Sequence, residues 1–269
     1  MNELRRALAG SRAAVSLVPT MGNLHAGHIS LVRLARERGG LVVASILVNR
    51  LQFAPQEDFA TYPRTLARDC ELLSAVGCDI VWAPPEEEIY PEPQEYTVHP
   101  PAHLAGILEG TVRPGFFTGV CTVVLKLFNA VQPSAAIFGK KDFQQLLVIQ
   151  TMVRQLMLPI KLLPAEIVRA PTGLALSSRN GYLSEAQRTE AARLHAELTK
   201  IAAGVKSGRT DWEILEQEAR QALTDRDWRP DYIAIRRQSD LAAPSTGGRL
   251  VILGAATLAG TRLIDNVEI

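Results

Sequence analysis

Residues 14–28 of the chain read AVSLVPTMGNLHAGH, in which an apolar run is followed by two glycines and two histidines. The apolar run, Ala14–Pro19, is typical of a buried strand, and helical spacing begins shortly after the second histidine. Gly22 and Gly27 allow the backbone to come close to a ligand. The exposed amides at the start of a helix favour a phosphate group. The stretch therefore predicts a strand, a phosphate-binding loop and a helix.

The same alternation of short apolar runs and helical segments continues through the first two-thirds of the chain. Near-continuous apolar strands that alternate with helices indicate a parallel sheet covered on both faces. The predicted fold class is α/β, a Rossmann-like doubly wound parallel sheet, which binds its ligand at the carboxyl ends of the strands. The predicted strands are Ala14–Pro19, Leu41–Val48, Asp79–Ala83, Ala135–Phe138 and Ile160–Val168, and the predicted helices are Ile29–Arg38, Arg64–Val76, Val120–Val131 and Phe143–Met157.

The pattern changes after Tyr182, where a smaller C-terminal α+β domain is predicted. Ser184 with Gln187 and Thr210 with Glu213 each form a capping-box pattern at the start of a helix. The first of these helices has an apolar stripe, Gly204–Gly208 links the two, and three short β-like runs follow. The stripe is Leu194, Leu198, Ile201 and Val205, and the runs are Tyr232–Ile235, Leu250–Leu253 and Arg262–Asn266. The predicted domains are 1–167 and 168–269.

Composition excludes several classes of protein. The formal net charge of the 269-residue chain is +1, so a long nucleic-acid or anionic-membrane surface is not expected. No apolar run approaches the roughly 20 residues that a membrane helix needs, and the N-terminus lacks a signal-type pattern. The three cysteines are widely spaced and form no CxxC pair. We expect a cytoplasmic protein that has free thiols and neither a nucleic-acid nor a membrane partner.

Histidines at the end of the first predicted strand suit phosphate chemistry. His25 and His28 stand at positions i and i+3, which places both imidazoles on one face of the first helical turn. There they can donate hydrogen bonds to phosphate oxygens, and these bonds strengthen as charge builds on the phosphorus. His99, His103 and His195 match no such pattern and are expected to be structural or surface residues.

Three later blocks supply complementary groups. Asn49 and Gln52 follow the second predicted strand and can hold a hydroxy-acid through uncharged donors and acceptors. Lys141 can neutralise phosphate charge, and Asp142 can accept from ribose hydroxyls. Hydroxyl groups and an arginine fork suit a triphosphate; these belong to Ser177, Ser178 and Arg179.

These blocks together carry a family resemblance. Residues 19–28, PTMGNLHAGH, contain a stretch that resembles the HxGH signature of the nucleotidylyltransferase superfamily. The full ten-residue motif is similar to that of the pantothenate synthetase family. Further stretches similar to that family occur in the same order and extend the resemblance over nearly the whole chain. They are Asn49–Phe53, Tyr62–Arg64, Leu108–Val120, Phe138–Leu146, Val168–Asn180 and Thr261–Asn266.

The resemblance implies ATP-dependent condensation of (R)-pantoate with β-alanine to pantothenate through a pantoyl-adenylate, with release of AMP and pyrophosphate. It implies ATP, Mg²⁺ and a homodimer, and a second domain that closes over the site. It implies that the catalytic residues are His28, His25 and Lys141. The implied pantoate-binding residues are Gln52, Gln145 and Asn49. Mg²⁺ ligands are not identifiable from the sequence, and Asp69 is only a guess. The implied nucleotide-binding residues are Met21, Gly22, His25, His28, Gly139, Lys141, Asp142, Val168, Leu176, Ser177, Ser178 and Arg179.

Five positions depart from the family pattern and leave alternatives open. Arg50, Phe116, Lys140, Ala170 and Thr172 stand where the family usually has proline, histidine, glutamate, glutamate and aspartate. A non-catalytic nucleotide-binding homologue would bind ATP without releasing pyrophosphate. Another HxGH nucleotidylyltransferase would carry extra cationic groups in place of the two substrate glutamines. A tRNA synthetase would need a basic RNA-binding domain, which this short and nearly neutral chain lacks.

Overall fold

The computed structural model describes residues 1–9, 13–54 and 57–269. They form two compact units, Met1–Lys140 with Gln144–Glu166, and Lys141–Phe143 with Ile167–Ile269. The short Lys141–Phe143 segment thus clusters with the C-terminal unit, whereas the domains predicted from the sequence place it in the first. Within the described ranges, no helix has both the length and the apolar character needed to cross a membrane.

The first unit contains a five-stranded parallel sheet and the helices that connect its strands. Its strands are β1 (Val15–Thr20), β2 (Leu41–Ile46), β3 (Ile80–Trp82), β4 (Ala135–Gly139) and β5 (Lys161–Ala165). Its α-helices are α1 (Asn2–Ala9), α2 (Ala26–Glu37), α3 (Leu66–Ala75), α4 (Glu86–Ile89), α5 (Ala102–Ala105), α6 (Glu109–Val112), α7 (Phe116–Val131) and α8, which runs from Phe143 to Gln155. Short 3₁₀ turns span Arg50–Gln52 and Lys140–Asp142.

The sheet has the strand order β3-β2-β1-β4-β5, and every neighbouring pair is parallel. The central strands are buried on both faces, as the continuous apolar runs of the sequence indicate. Val18, Val42 and Ile137, from three neighbouring strands, share one core with residues of α2. The predicted doubly wound sheet is confirmed, although the strand and helix ends shift by a few residues. Helix α7 begins at Phe116, directly after Gly115 with φ of +84°.

The second unit packs three helices and a 3₁₀ turn with a three-stranded antiparallel sheet of order β6-β7-β8. Its elements are the 3₁₀ turn Ser178–Tyr182, α9 (Glu185–Ala191), α10 (Arg193–Lys206), α11 (Trp212–Thr224), β6 (Arg229–Arg237), β7 (Leu250–Leu258) and β8 (Thr261–Glu268). Leu194, Leu198 and Ile201 of the predicted stripe are buried against the sheet. Ala259 and Gly260 turn between β7 and β8 with positive φ at both positions, as a tight hairpin requires.

Of the two capping boxes predicted in the second unit, the structure contains one. Ser184 and Gln187 form the predicted capping box at the start of α9. The box predicted at Thr210 and Glu213 is wrong, because Asp211 occupies the cap position of α11 without a side-chain cap hydrogen bond. Gly204 lies inside α10 rather than in the linker. The carboxylate of Asp211 instead binds the guanidinium of Arg209 at 2.6 Å, which explains why it does not cap the helix.

Candidate active site

Predicted site residues of the first unit lie at the carboxyl end of its parallel sheet. Strand β1 has β2 on one side and β4 on the other, so the connections leave the sheet in opposite directions at this point. Such a switch in strand order opens a crevice at the strand ends. The loop Met21–His25 follows β1, the turn Arg50–Gln52 follows β2, and Gly139 ends β4. The topology therefore brings three of the sequence-predicted segments to one edge.

A buried carboxylate holds the loop after β1. Asp69 of α3 is fully buried and accepts hydrogen bonds from the amides of Asn23 at 2.9 Å and Leu24 at 2.8 Å. Its carboxylate also accepts from the Thr65 hydroxyl at 3.0 Å. Gly22 has φ of +80°, and a Cβ there would lie 3.1 Å from the same carboxylate. Asp69, guessed from the sequence as a metal ligand, is thus engaged in fixing the backbone of the loop.

The two histidines form a reciprocal cap at the start of α2. His25 is the cap residue rather than a member of the first turn, and its Nδ1 accepts from the Gly27 amide at 3.1 Å. Nδ1 of His28 accepts from the His25 amide at 3.3 Å, and the ring centroids are 4.1 Å apart. An Nδ1 that accepts from an amide has no proton, so each neutral ring carries its proton on Nε2. Each ring therefore has a fixed tautomer whose Nε2–H is the donor.

A chain of polar side chains follows β2. Asn49 is buried, and its amide group donates to Gln52 Oε1 at 3.0 Å and to the Gly119 carbonyl at 3.2 Å. The Gln52 amide nitrogen lies 3.1 Å from the Met21 sulfur, so it reaches the loop after β1. The Tyr90 hydroxyl donates to Asn49 Oδ1 at 2.6 Å. Burial, with a smaller contribution from the nearby Glu86 carboxylate, raises the pKa of Tyr90, which keeps the phenol protonated as a donor.

Two further groups hold the 3₁₀ turn that carries Gln52. Helix α7 passes so close that a Cβ on Gly119 would lie 2.1 Å from the Leu51 carbonyl oxygen. Arg113 donates to the Gln52 carbonyl at 3.0 Å and pairs with both oxygens of Glu57 at 2.6 and 2.7 Å. The same guanidinium lies 3.8 Å from the ring centroid of Phe116, one of the departures from the family pattern. The aromatic ring at this position thus supports the arginine that binds the turn.

The two glutamines at the start of α8 have different environments. Gln144 is buried, accepts from the Glu109 amide at 3.1 Å and donates to the carbonyls of Leu104 and Ile107, each at 2.9 Å. Gln145 is half-buried, and its side-chain amide makes no hydrogen bond within the described residues. Gln144 is therefore structural, and the assignment of pantoate to Gln145 stays a prediction.

The remaining predicted residues belong to the second unit. Val168–Leu176 forms a small hairpin in which the Ala170 amide donates to the Leu174 carbonyl and the Leu176 amide to the Val168 carbonyl, at 2.8 and 2.9 Å. Ser177 caps the 3₁₀ turn that follows, with its hydroxyl accepting from the Arg179 amide at 3.2 Å. The predicted site residues of this unit all have half-buried side chains: Lys141, Asp142, Val168, Leu176, Ser177, Ser178 and Arg179.

A buried ion pair that the sequence analysis missed joins this hairpin to β8. Arg169 pairs with both oxygens of Asp265 at 2.6 and 2.9 Å and donates to the Gly173 carbonyl at 3.0 Å. His195 of α10 places Nδ1 3.6 Å from Asp265. Burial lowers the pKa of His195, and the Arg169 charge lowers it further, while Asp265 acts in the opposite direction. The expectation of a structural histidine agrees with these contacts.

The other departures from the family pattern lie in varied surroundings. Lys140 pairs with the exposed Glu166 at 2.6 Å, and Arg50 lies 3.1 Å from Glu86. Ala170 packs against the apolar core of the second unit, and Thr172 is exposed at the turn of the hairpin. None of the five removes a group to which the sequence analysis assigns a phosphate or pantoate contact.

Comparisons with known proteins agree with one another. The model of the family described as pantoate-beta-alanine ligase matches residues 1–268. A pantothenate synthetase of Leptothrix cholodnii is 57% identical over 277 residues, which cover 99% of this chain and 97% of that protein. The crystal structure of a pantothenate synthetase from Thermus thermophilus matches with a TM-score of 0.92 at 44% identity, covering 99% of this chain and 96% of the other.

A second solved structure adds ligands to the comparison. It is a pantoate-beta-alanine ligase from Francisella tularensis complexed with beta-gamma ATP and beta-alanine. It matches with a TM-score of 0.78 at 30% identity, covering 99% of this chain and 95% of that one. The family model, the Leptothrix cholodnii relative and these two solved structures each span nearly the whole chain. The chain therefore belongs to the pantoate-beta-alanine ligase family.

Proposed function

We propose that the chain joins (R)-pantoate to β-alanine in two steps at the expense of ATP. A pantoate carboxylate oxygen attacks the α-phosphorus, the bond to the bridging oxygen breaks, and pyrophosphate leaves. The β-alanine amine then attacks the acyl carbon of the pantoyl-adenylate, loses a proton and expels AMP. Activation is needed because a carboxylate is a poor acyl donor, whereas AMP is a good leaving group. The enzyme class is a carbon–nitrogen ligase.

The fixed histidine tautomers carry this proposal. Because both Nδ1 atoms accept from backbone amides, each neutral ring has its Nε2–H as a preorganised donor directly after the loop that follows β1. Donors that need no reorganisation stabilise charge as it develops on a phosphoryl group. We propose that His25 and His28 donate hydrogen bonds to the ATP phosphates. Lys141 and Arg179 neutralise the negative charge of the same phosphates. MgATP is the substrate form, since Mg²⁺ is usually held through phosphates with few protein ligands.

The hydrogen-bonded polar side chains after β2 are proposed to recognise pantoate. The fixed Asn49 presents Gln52 beside Met21, so Gln52 can orient a hydroxy-acid at the end of β1. Gln145 supplies a second uncharged amide. Amides can donate to and accept from the hydroxyl and carboxylate groups of pantoate without adding charge. The homodimer and the closing of the 168–269 domain over the site stay predictions from the family resemblance, and the cytoplasmic location stays a prediction from the sequence composition.

The decisive experiment measures pyrophosphate release from MgATP with D-pantoate present or absent, and pantothenate after β-alanine is added. We expect release that requires pantoate. His28→Asn retains an acceptor near the Nδ1 position but removes the Nε2–H, so the helix cap persists while kcat falls by about 10²–10³. His103→Ala, at an exposed histidine of α5, is the matched control and should behave as the wild type.

Other outcomes would separate the alternatives. Binding of ATP without pantoate-dependent release would overturn the proposal and indicate a catalytically impaired homologue. Release that depends on a different, phosphorylated acceptor would indicate another HxGH nucleotidylyltransferase. Wild-type activity in the His28→Asn enzyme would refute the role given to the Nε2 donor alone.

A further inference from the structure

Strand β8 carries two adjacent buried polar side chains that bind separate segments of the second unit. Asp265 and Asn266 are 5% and 3% exposed, so their polar groups are removed from water and must be paired within the protein. Neither belongs to the residues assigned to ATP, pantoate or β-alanine. Their partners lie in the two segments that carry the proposed phosphate ligands.

Asp265 holds the hairpin that precedes Ser177. Both of its oxygens bind the Arg169 guanidinium, which also donates to the Gly173 carbonyl at 3.0 Å and to the Asn266 carbonyl at 3.2 Å. A two-point fork of this kind fixes orientation as well as distance. Gly173 has φ of +96°, and a Cβ there would lie 3.3 Å from the His195 ring, so the turn also abuts α10.

Asn266 holds Lys141–Phe143, called the lysine segment below. Its side-chain amide donates to the Lys141 carbonyl at 2.9 Å, across 125 positions of sequence. Its own backbone amide donates to Asp265 Oδ1 at 2.7 Å, so the Asp265 carboxylate also binds the backbone of Asn266. Lys141 therefore shares one rigid support with the hairpin that leads into Arg179.

We propose that Asp265 and Asn266 are positioning residues for ATP, which together fix the backbone of the Lys141 segment and of the hairpin before Ser177. This inference rests on the proposed function, because it takes Lys141 and Arg179 as the phosphate ligands. Both residues act through the segments that they hold. A displaced support misplaces two cationic groups at once, whereas the pantoate residues of the first unit keep their own contacts.

The test uses the full chain with Asp265→Asn, Asn266→Ala and Arg169→Lys. Asp265→Asn removes one acceptor of the fork and turns an amide donor toward the guanidinium, while Arg169→Lys keeps the charge but loses the fork. We expect kcat/KM for ATP to fall about 10- to 100-fold, as for a displacement near 1 Å, with the KM for pantoate unchanged. Asn266→Ala should produce a smaller change in the same direction.

Asp231→Asn is the matched control. It breaks another arginine–carboxylate pair, between Asp231 and Arg262 at 2.7 Å, which joins β6 to β8. Circular dichroism and thermal unfolding confirm that each variant is folded at the assay temperature. If Asp265→Asn does not fold, Asn266→Ala and Arg169→Lys decide the matter.

Each result has one meaning. A selective ATP defect in the β8 and Arg169 variants, with a normal Asp231→Asn enzyme, supports the positioning role. An unchanged kcat/KM for ATP, or a raised KM for pantoate, overturns it. A wild-type enzyme without pantoate-dependent pyrophosphate release would instead refute the proposed function itself, so the two failures are distinguishable.

Discussion

Gly119→Ala tests the contact between α7 and the turn that carries Gln52. The added Cβ would lie 2.1 Å from the Leu51 carbonyl oxygen, where an ordinary contact begins near 3.4 Å. It would also lie 2.8 Å from the backbone nitrogen of Gln52. Because these obstacles are backbone atoms, no side-chain rotation relieves the overlap. The turn must therefore move away from the helix by about 1.3 Å, on the same contact distances.

This displacement sets the size of the expected effect. A misplacement near 1 Å costs about 100-fold in rate, or about 2.7 kcal/mol of transition-state stabilisation. Alanine is the better helix former by about 1 kcal/mol, so the intrinsic helix preference acts against any loss of stability. We expect kcat/KM for pantoate to fall about 100-fold. The KM for ATP should change little, because the loop after β1 has its own support in Asp69.

Steady-state pantothenate formation with pantoate and ATP varied in turn provides the measurement. Gly248→Ala is the control, since its Cβ would meet only ordinary contacts in an exposed turn, the nearest being 3.5 Å away. That variant should retain wild-type kinetics. A Gly119→Ala enzyme with normal kcat/KM for pantoate would refute the argument that the position of this turn determines pantoate use.

Three other perturbations have expected outcomes. Tyr90→Phe leaves the buried Asn49 Oδ1 without its donor at 2.6 Å, so kcat/KM for pantoate should fall about 5- to 150-fold, from a desolvation cost of about 1–3 kcal/mol; unchanged pantoate kinetics would contradict this. Asp69→Asn places an amide donor among three donors. Thermal unfolding should show a loss of about 1–3 kcal/mol in the free energy of unfolding, and kcat/KM for ATP should fall. A variant with wild-type stability and activity would count against the role of Asp69 in holding the loop. His195 has a lowered pKa, so the unfolded state binds more protons and stability is lost as pH falls below about 6.5. Between pH 7.5 and 5.5, His195→Gln should therefore lose less unfolding free energy in urea titrations than the wild type, and parallel losses would exclude this contribution.

Local sequence patterns predict much of the architecture because they express local physics. The strands of the first unit are continuous apolar runs, which are stable only when both faces are covered, and the capping box at Ser184 uses neighbours three residues apart. The box predicted at Thr210 is wrong because the helix begins one residue later, with Asp211 at the cap position. Two neighbouring candidates for one cap cannot be ranked without knowing what else each side chain touches.

Long-range contacts of the candidate site leave no such pattern. The sequence indicates which strand ends carry polar residues, so Asn49 and Gln52 are predictable. It does not indicate that Tyr90 reaches Asn49 from 41 positions away, or that Arg113 binds the Gln52 carbonyl from 61 positions away. Each of these depends on how connecting segments pass over the sheet. The sequence also gives no reason for a glycine at position 119. Gly119 lies in a helix without a positive φ, and only the structure shows that the Leu51 backbone leaves no room for a Cβ there.

The attachment of Lys141 to Asn266 has a consequence during synthesis of the chain. The residues are 125 positions apart, so a ribosome that adds about 5–20 residues per second completes the second roughly 6–25 s after the first. Once Ala165 has been added, the sheet that ends there is available to fold, but the lysine segment still lacks its partner until Asn266 is made. An unfinished chain, or one truncated before β8, therefore carries the lysine without the support proposed to aim it at ATP. ATP-binding competence is thus expected to appear only with the last few residues translated.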